Sequence, residues 1–113
     1  MAILVAVTDS GEGDLALARA VDEAELRRTP LLVANLRLSP LEAPADAKVL
    51  ERPPNVDVAD HVLALLDEHA GEVELLVIGM KRRSPVGKAL LGSLAQRLLL
   101  AANVPVLAVK TAD

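Results

Sequence analysis

The 113-residue sequence contains no cysteine and no phenylalanine, tyrosine or tryptophan. Without cysteine there is no disulfide, no thiolate nucleophile and no cysteine-ligated zinc or iron–sulfur cluster, which is typical of proteins from a reducing compartment. Without aromatic rings the chain lacks the platforms on which proteins stack flipped or single-stranded bases. These absences exclude redox-thiol chemistry and leave aliphatic side chains and backbone groups as the surfaces that can hold a nucleobase.

Long hydrophobic runs are also missing, although 52% of the residues are hydrophobic. The longest nearly apolar stretch, Leu98–Val109, is interrupted by Asn103 and Pro105 and is shorter than the ~20 residues that cross a bilayer. The short run Ile3–Val7 has no positively charged segment before it, so it does not fit a secretory signal. We therefore expect a soluble, cytoplasmic protein with no membrane partner.

Charge is distributed unevenly along the chain, whose formal net charge is −4. Residues 1–78 carry 15 acidic and 6 basic side chains, whereas residues 79–112 carry 6 basic side chains and no acidic one. Such a distribution suits a small anion bound at a defined place better than a nucleic acid, which calls for a broad basic face. Charge alone leaves an ordinary solvated basic loop open as the alternative.

Nearly continuous aliphatic runs alternate with segments of helical spacing, as in parallel sheets covered on both faces. The pattern predicts strands at Ile3–Val7, Leu31–Leu36, Ala47–Arg52, Leu75–Gly79 and Val104–Val109, and helices at Glu12–Arg28, Val56–Ala70 and Ser93–Asn103. The alternation predicts one α/β domain over residues 1–113. Its open five-stranded parallel sheet has the order 3-2-1-4-5, with helices on both faces.

Caps and core-facing residues are predicted from the same segments. The first helix has its predicted core stripe at Leu17, Val21 and Ala24. Asn55 is the predicted N-cap of the second helix. Ser93 with Gln96 forms a capping-box pattern at the start of the third helix.

The two histidines lie eight residues apart on the second predicted helix. That spacing separates them by ~12 Å along the axis, so they cannot share one metal ion. We expect His61 at the surface and His69 at the helix end. No serine, histidine and acid combination for nucleophilic hydrolysis can be assembled from them, and we predict neither a catalytic nor a metal-binding residue.

Three glycine arrangements suggest a phosphate site, and two of them fail on chemistry. Gly11–Ala16 fits the dinucleotide pattern G-x-G-x-x-A, but Asp9, Glu12 and Asp14 would surround a pyrophosphate with negative charge. A dinucleotide-binding enzyme is therefore the weakest alternative. Gly87-Lys88-Ala89 resembles the end of a P-loop but lacks the hydroxyl that would bind magnesium, so the P-loop interpretation fails.

The third arrangement, Gly79–Ser93, leaves the fourth predicted strand and enters the last helix. Glycine lets a backbone approach a ligand closely, and free N–H groups at a helix N-terminus attract phosphate oxygens. The segment supplies positive charge from Lys81, Arg82, Arg83 and Lys88. In the predicted sheet, ligands bind outside the carboxyl ends of the first and fourth strands, where the strand order reverses. The alternative is a loop in which Gly92 and Ser93 merely cap a helix.

Both ends of the chain resemble the universal stress protein family. The resemblance rests on Ile3–Ser10 and on Leu76–Lys110, including Asn103–Val109. It covers the middle, residues 38–70, only by layout. The segment between the second and third strands is short for the family, and we expect it to omit a helix.

The end motif of the family is glycine, two residues, glycine, nine residues, then glycine followed by serine or threonine. Gly79, the nine residues 83–91 and Gly92-Ser93 fit this motif. Arg82 occupies the place of the second glycine. The aspartate that the family has at the end of the first strand corresponds to Thr8, with Asp9 beside it.

The resemblance implies a Rossmann-like, adenine nucleotide alpha hydrolase-like fold and ATP, with or without Mg, at the reversal of strand order. It also implies that Gly79, Gly92 and Ser93 contact ribose and phosphates, and that the backbone near Leu36 meets adenine. The candidate cofactor-binding residues are Thr8, Asp9, Leu36, Gly79, Met80, Arg82, Gly87, Gly92, Ser93 and Leu94.

The last predicted strand favours a homodimer, which the resemblance also implies. Pro105 lacks an N–H and is tolerated in an edge strand, and an apolar edge aggregates unless another chain covers it. We expect Val104–Val109 to pair with its copy. The leading hypothesis is a homodimeric stress-response and signalling module that binds ATP with little or no turnover. A nucleotide-free dimeric scaffold, with Arg82 filling the phosphate cradle, is the main alternative.

Overall fold

The computed structural model describes residues 1–81 and 92–110. Its elements are β1 (Ala2–Val7), α1 (Gly11–Arg27), β2 (Leu31–Asn35), β3 (Lys48–Glu51), α2 (Val58–Glu68), β4 (Val73–Met80), α3 (Ser93–Ala101) and β5 (Val106–Lys110). The five strands form one sheet of order β3-β2-β1-β4-β5, and all of its pairings are parallel. The predicted fold class and strand order are confirmed. Within the described ranges, no helix combines the length and apolarity needed to cross a membrane.

Strand β1 lies in the centre of the sheet, and all six of its residues are buried. Successive side chains of a strand point to opposite faces. Ile3 and Val5 pack on one face with α1, and Leu4 and Ala6 pack on the other face with α2 and α3. The continuous aliphatic run is therefore explained by two cores, one on each side of the sheet.

Helix α1 packs on its face of the sheet through small residues. Its buried positions are Gly13, Ala16, Ala20 and Ala24. The prediction for Ala24 is confirmed, whereas Leu17 and Val21 are only partly buried beside this stripe. The small side chains sit where the helix comes closest to the sheet, and the larger aliphatic ones flank that line.

Helix α2 differs from prediction at its start and on its inner face. Its N-cap is Asp57, whose carboxylate accepts hydrogen bonds from the N–H groups of Ala59 and Asp60. Asn55 instead has a φ of 65° in the preceding turn, so its prediction as N-cap is wrong. His61 is buried, not at the surface, and its Nε2 donates to the carbonyl of Leu50 at 3.3 Å.

Helix α3 begins at Ser93, as predicted, but without a capping box. The N-cap is Gly92, which has no side chain to hydrogen-bond to the helix start. The prediction of Ser93 as the capping residue is therefore wrong. Ser93 is already the first residue of the helix.

The chain between β2 and β3, residues 36–47, contains neither helix nor strand. The predicted omission of a helix from this link is confirmed. The link runs on the α1 side of the sheet, where Leu41 and Ala47 pack against the core that α1 covers.

Candidate functional site

A cleft of about 750 Å³ opens at the carboxyl ends of β1 and β4. This is where the strand order reverses, since β1 is followed in sequence by its neighbour on one side and β4 lies on the other. Ligands of open α/β sheets bind at this position, and the volume is within the ~300–1,000 Å³ of small-molecule sites. The cleft is lined by Ala6, Thr8, Asp9, Ser10, Glu12, Ile78, Gly79, Met80, Lys81, Gly92, Leu94 and Ala95.

The start of α3 forms one wall of the cleft through Gly92, Leu94 and Ala95. The first N–H groups of a helix have no partner inside the helix, and here the N-cap residue, Gly92, has no side chain that could cap them. The helix dipole adds partial positive charge at the same end. This wall is therefore suited to an anionic oxygen.

The start of α1 forms the opposite wall and is held against the strand ends by two glycines. A Cβ atom added at Gly13 would lie 2.3 Å from the carbonyl oxygen of Thr8. One added at Gly79 would lie 2.1 Å from the carbonyl oxygen of Glu12. Because no real Cβ fits at these distances, both glycines serve the contact between α1 and the strand ends. Gly13 of the G-x-G-x-x-A pattern thus packs on Thr8.

Hydroxyl groups and one carboxylate line the turn between β1 and α1. The hydroxyl oxygens of Thr8 and Ser10 lie 2.6 Å apart and share a hydrogen bond. Ser10 is also the N-cap of α1, where its side chain accepts from the N–H of Gly13. Thr8 supplies no carboxylate at the end of β1, and the acid of this turn is Asp9.

The Asp9 carboxylate is already engaged by the chain that follows β2. It accepts hydrogen bonds from the backbone N–H of Leu38 at 2.8 Å and from Ser39. These bonds hold the pKa of Asp9 below its usual value, and the bond from the Leu38 N–H contributes most. Asp9 is therefore a charged group that joins the cleft to a distant segment.

Among the described residues, the charged side chains that line the cleft are Asp9, Glu12 and Lys81. Three further basic residues of the sequence-predicted phosphate segment, Arg82, Arg83 and Lys88, lie outside the described residues. No group of three histidine, aspartate or glutamate side chains that could hold a metal ion occurs within residues 1–81 and 92–110.

The structure brings together six of the residues that the sequence analysis nominated. Thr8, Asp9, Gly79, Met80, Gly92 and Leu94 all line the cleft. Ser93 lies next to the lining in the first turn of α3. Leu36 is buried in the core on the α2 side, and its N–H donates to the carbonyl of Val7. Arg82 and Gly87 lie outside the described residues.

Several residues that line the cleft were not predicted as site residues, although the sequence carries a signal for their position. Ala6 and Ile78 lie two residues before Thr8 and Met80, and the period of two places each pair on one face of its strand. Ser10 and Glu12 could have been predicted to line the cleft, because they lie at the start of a helix that follows the first strand directly. Only the contact of Glu12 with Gly79 needed the fold to be known.

Comparison with known proteins gives one family. The model of the universal stress protein family matches residues 41–110. A universal stress protein of Mycolicibacterium smegmatis is 36% identical over 129 aligned positions, which cover 96% of this chain and 96% of that protein.

Solved structures resemble the whole chain. A universal stress protein from Archaeoglobus fulgidus has 27% identity and a TM-score of 0.71, with 97% of this chain and 98% of that chain covered. A structure of the universal stress protein from Archaeoglobus fulgidus in complex with dAMP has 23% identity and a TM-score of 0.63, with the same coverage. At that identity, the second likeness supports the fold alone.

Proposed function

This chain belongs to the universal stress protein family, and we propose that it binds an adenine nucleotide, ATP, in the cleft between β1 and β4. The observation that carries the proposal is the cleft itself, which gathers Thr8, Asp9, Gly79 and Gly92 at the reversal of strand order. The proposed activity is binding in a stress response, with little or no turnover.

The phosphates are proposed to lie against the start of α3. A helix whose N-cap is glycine offers backbone N–H groups and the positive end of the dipole to phosphate oxygens. Lys81 lines the same cleft, and the sequence that follows it to the helix is free of acidic residues. These features favour an anion at this wall over a neutral ligand.

The base is proposed to lie against aliphatic side chains, because the chain has no aromatic residue. Ala6, Ile78, Met80 and Leu94 supply such a surface in the cleft. The Archaeoglobus fulgidus protein of the same fold was solved in complex with dAMP, and we propose an adenylate here by analogy with that ligand. ATP is proposed over a monophosphate because four basic residues lie between Gly79 and Ser93.

The remaining parts of the proposal are cytoplasmic localisation, which the cysteine-free sequence favours, and a single domain that pairs with its copy through Val104–Val109. Magnesium, when present, is proposed to arrive with the phosphates, since the described residues offer it no site of their own.

The test uses Gly92→Val. Among the described residues, no atom lies within 4 Å of a Cβ atom added at Gly92, and the φ of −60° at Gly92 is available to any residue, so the variant should fold. We expect it to weaken ATP binding by about tenfold or more, because the side chain takes the space of a phosphate and its charge-assisted hydrogen bonds are lost. Gly11→Val is the matched control, since Gly11 also faces open space and does not line the cleft.

The measurement has two parts. Freshly purified protein is denatured and the released nucleotide is identified by chromatography. Calorimetry then compares ATP, AMP and NADP on the wild-type chain and on both variants. Equal ATP affinity in Gly92→Val would contradict the site, whereas no released nucleotide and no heat with any ligand would favour the nucleotide-free scaffold. Tight binding of NADP alone would favour the dinucleotide alternative.

A further inference from the structure

The segment after β2 is attached to the rim of the cleft by the side chain of Asp9, which lies in the turn after β1. Asp9 Oδ2 accepts from the N–H of Leu38 at 2.8 Å, and Asp9 Oδ1 accepts from the N–H and the hydroxyl of Ser39. Both oxygens of this carboxylate therefore have partners that lie 29 and 30 residues away in sequence.

Arg37 reinforces the same attachment. Its guanidinium donates to Asp14 Oδ1 at 2.9 Å and to the hydroxyl of Ser39 at 2.9 Å, and its Nε lies 3.6 Å from Asp9 Oδ1. Its side chain is only 19% exposed, although it carries a full charge. The guanidinium thus bridges the first turn of α1 and the segment after β2. We call Asp9, Asp14, Arg37 and Ser39 the rim cluster.

Burial does not hold Leu38 and Ser39 in place, although Leu36 before them and Leu41 after them pack against the core. Leu38 is 90% exposed, and residues 36–47 form neither helix nor strand. Segments with few buried contacts open at low free energy unless hydrogen bonds hold them. The hydrogen bonds of the rim cluster are thus the visible restraint on the chain at Leu38 and Ser39.

We propose that Asp9 is a positioning residue, which fixes residues 37–39 beside the cleft and supports nucleotide binding through that segment, without itself contacting the ligand. The inference rests on the proposed function for its last step only. In this chain the end of β1 carries Thr8, and the carboxylate one residue later has both oxygens turned to Leu38 and Ser39. Asp9 lines the cleft and therefore ties the position of residues 37–39 to its rim.

The charge state of Asp9 agrees with this role. The hydrogen bonds from Leu38 and Ser39, together with the charge of Arg37, lower the pKa of Asp9 in the folded protein. A carboxylate with a lowered pKa stabilises the fold above its unfolded pKa, and that contribution is lost as the pH falls through the folded value. The rim cluster is consequently formed at neutral pH.

The first experiment follows the Leu38 and Ser39 backbone N–H groups by NMR, without nucleotide. In the wild-type chain we expect both amide signals to shift with pH in a single titration below the usual aspartate range, and the Leu38 amide to exchange slowly with solvent. In Asp9→Ala the titration should vanish and the exchange of the Leu38 amide should accelerate by about tenfold. Asp22→Asn, an exposed change elsewhere on α1, is the matched control and should leave both signals unchanged.

Limited proteolysis gives an independent readout, since trypsin cleaves after Arg37. The fragment of residues 1–37 should form about tenfold faster from Asp9→Ala than from the wild-type chain or Asp22→Asn. Ser39→Ala should show a smaller increase, and the double variant should exceed Asp9→Ala by less than the sum, because the two residues act on one restraint. Unchanged amide exchange and unchanged cleavage in Asp9→Ala would overturn the proposal.

The nucleotide arm separates this inference from the proposed function. Calorimetry with ATP should show weaker binding for both Asp9→Ala and Ser39→Ala, with Asp9→Ala the weaker of the two. Loss of affinity in Asp9→Ala alone, with the Leu38 amide still protected, would mean that Asp9 contacts the ligand directly and would overturn the positioning role. A wild-type chain that binds no adenylate refutes the proposed function, while the amide and trypsin results still decide whether the rim cluster holds the segment.

Discussion

Two glycines, Gly13 and Gly79, allow the first turn of α1 to lie directly against the ends of β1 and β4. A Cβ atom of Gly13 would lie 2.3 Å from the carbonyl oxygen of Thr8, and one of Gly79 would lie 2.1 Å from the carbonyl oxygen of Glu12. Neither glycine has a positive φ, so close approach, and not an unusual backbone conformation, requires the missing side chain. This contact sets the width of the cleft on the α1 side.

Alanine at either position should therefore destabilise the protein. We expect Gly13→Ala and Gly79→Ala each to lower the free energy of unfolding by about 1–3 kcal/mol, since a methyl group forced against backbone atoms displaces the helix. Gly11→Ala is the control, because a Cβ there meets no atom within 4 Å and alanine is favoured over glycine in a helix by up to ~1 kcal/mol. Urea denaturation measures all three. Equal stability of the three variants would show that the close contacts are absent in solution.

At the residue scale, the sequence indicates which side chains stand at the turns but not what they contact. A glycine needed beside a phosphate and a glycine needed beside a neighbouring helix have the same pattern, since both require a missing Cβ. Asp9 was nominated for a ligand, and its observed partners in the rim cluster are distant in sequence. No local spacing predicts such a contact, because it depends on the path of a link that has no periodicity.

At the element scale, the start of α2 depends on one side chain. Asp57 accepts from two N–H groups of the first turn and also pairs with Arg97 of α3, whose guanidinium lies 3.1 Å away. Asp57→Ala should lower the free energy of unfolding by about 1 kcal/mol, as expected for loss of an N-cap. Asp57→Asn should retain most of it, because asparagine caps as well as aspartate and an exposed ion pair contributes little.

The two variants at Asp57 are compared by thermal and urea unfolding, with Asn55→Gly as a further control. Glycine takes the positive φ of Asn55 without steric cost, so this change should not destabilise the protein. If Asp57→Ala is as stable as the wild-type chain, the cap lies elsewhere. If Asp57→Asn is as unstable as Asp57→Ala, the pairing with Arg97 and not the cap stabilises the start of the helix.

Elements were predictable where a single segment carries the signal. The buried strands are continuous aliphatic runs, and the confirmed strand order follows from their alternation with helices. The cap of α2 and the burial of His61 were missed because they depend on other elements. His61 faces β3 and donates to Leu50, and Asp57 had a local competitor in Asn55 that only the backbone conformation eliminates.

At the scale of the whole molecule, the two edges of the described sheet differ in character. The edge strand β3 exposes Lys48 and Glu51, and charged side chains discourage pairing between sheets. The edge strand β5 presents Val106, Leu107, Ala108 and Val109, which are only partly buried. An apolar edge of this kind is covered in most stable proteins. Strand β5 is therefore the edge at which we propose that the chain pairs with its copy.

The backbone register identifies the groups available for that pairing. The N–H of Leu76 donates to the carbonyl of Pro105 at 2.9 Å, so the groups of Pro105 and Leu107 point toward β4. Alternation along a strand then turns the N–H of Val106 and of Ala108 outward, away from the sheet. Proline at Ala108 would remove an outward donor while leaving the hydrogen bonds to β4 in place.

We expect the wild-type chain to have twice the mass of 11.9 kDa in light scattering at micromolar concentration, and Ala108→Pro to have the mass of one chain. Ala108→Ser retains the N–H and has a similar volume, so it should remain a dimer. Circular dichroism shows whether each variant is folded. We expect Ala108→Pro to fold, since proline is tolerated in an edge strand. A wild-type chain with the mass of one copy would contradict pairing through β5. A dimeric, folded Ala108→Pro would show that the copies associate through another surface, because the hydrogen bond that proline removes belongs to this edge alone.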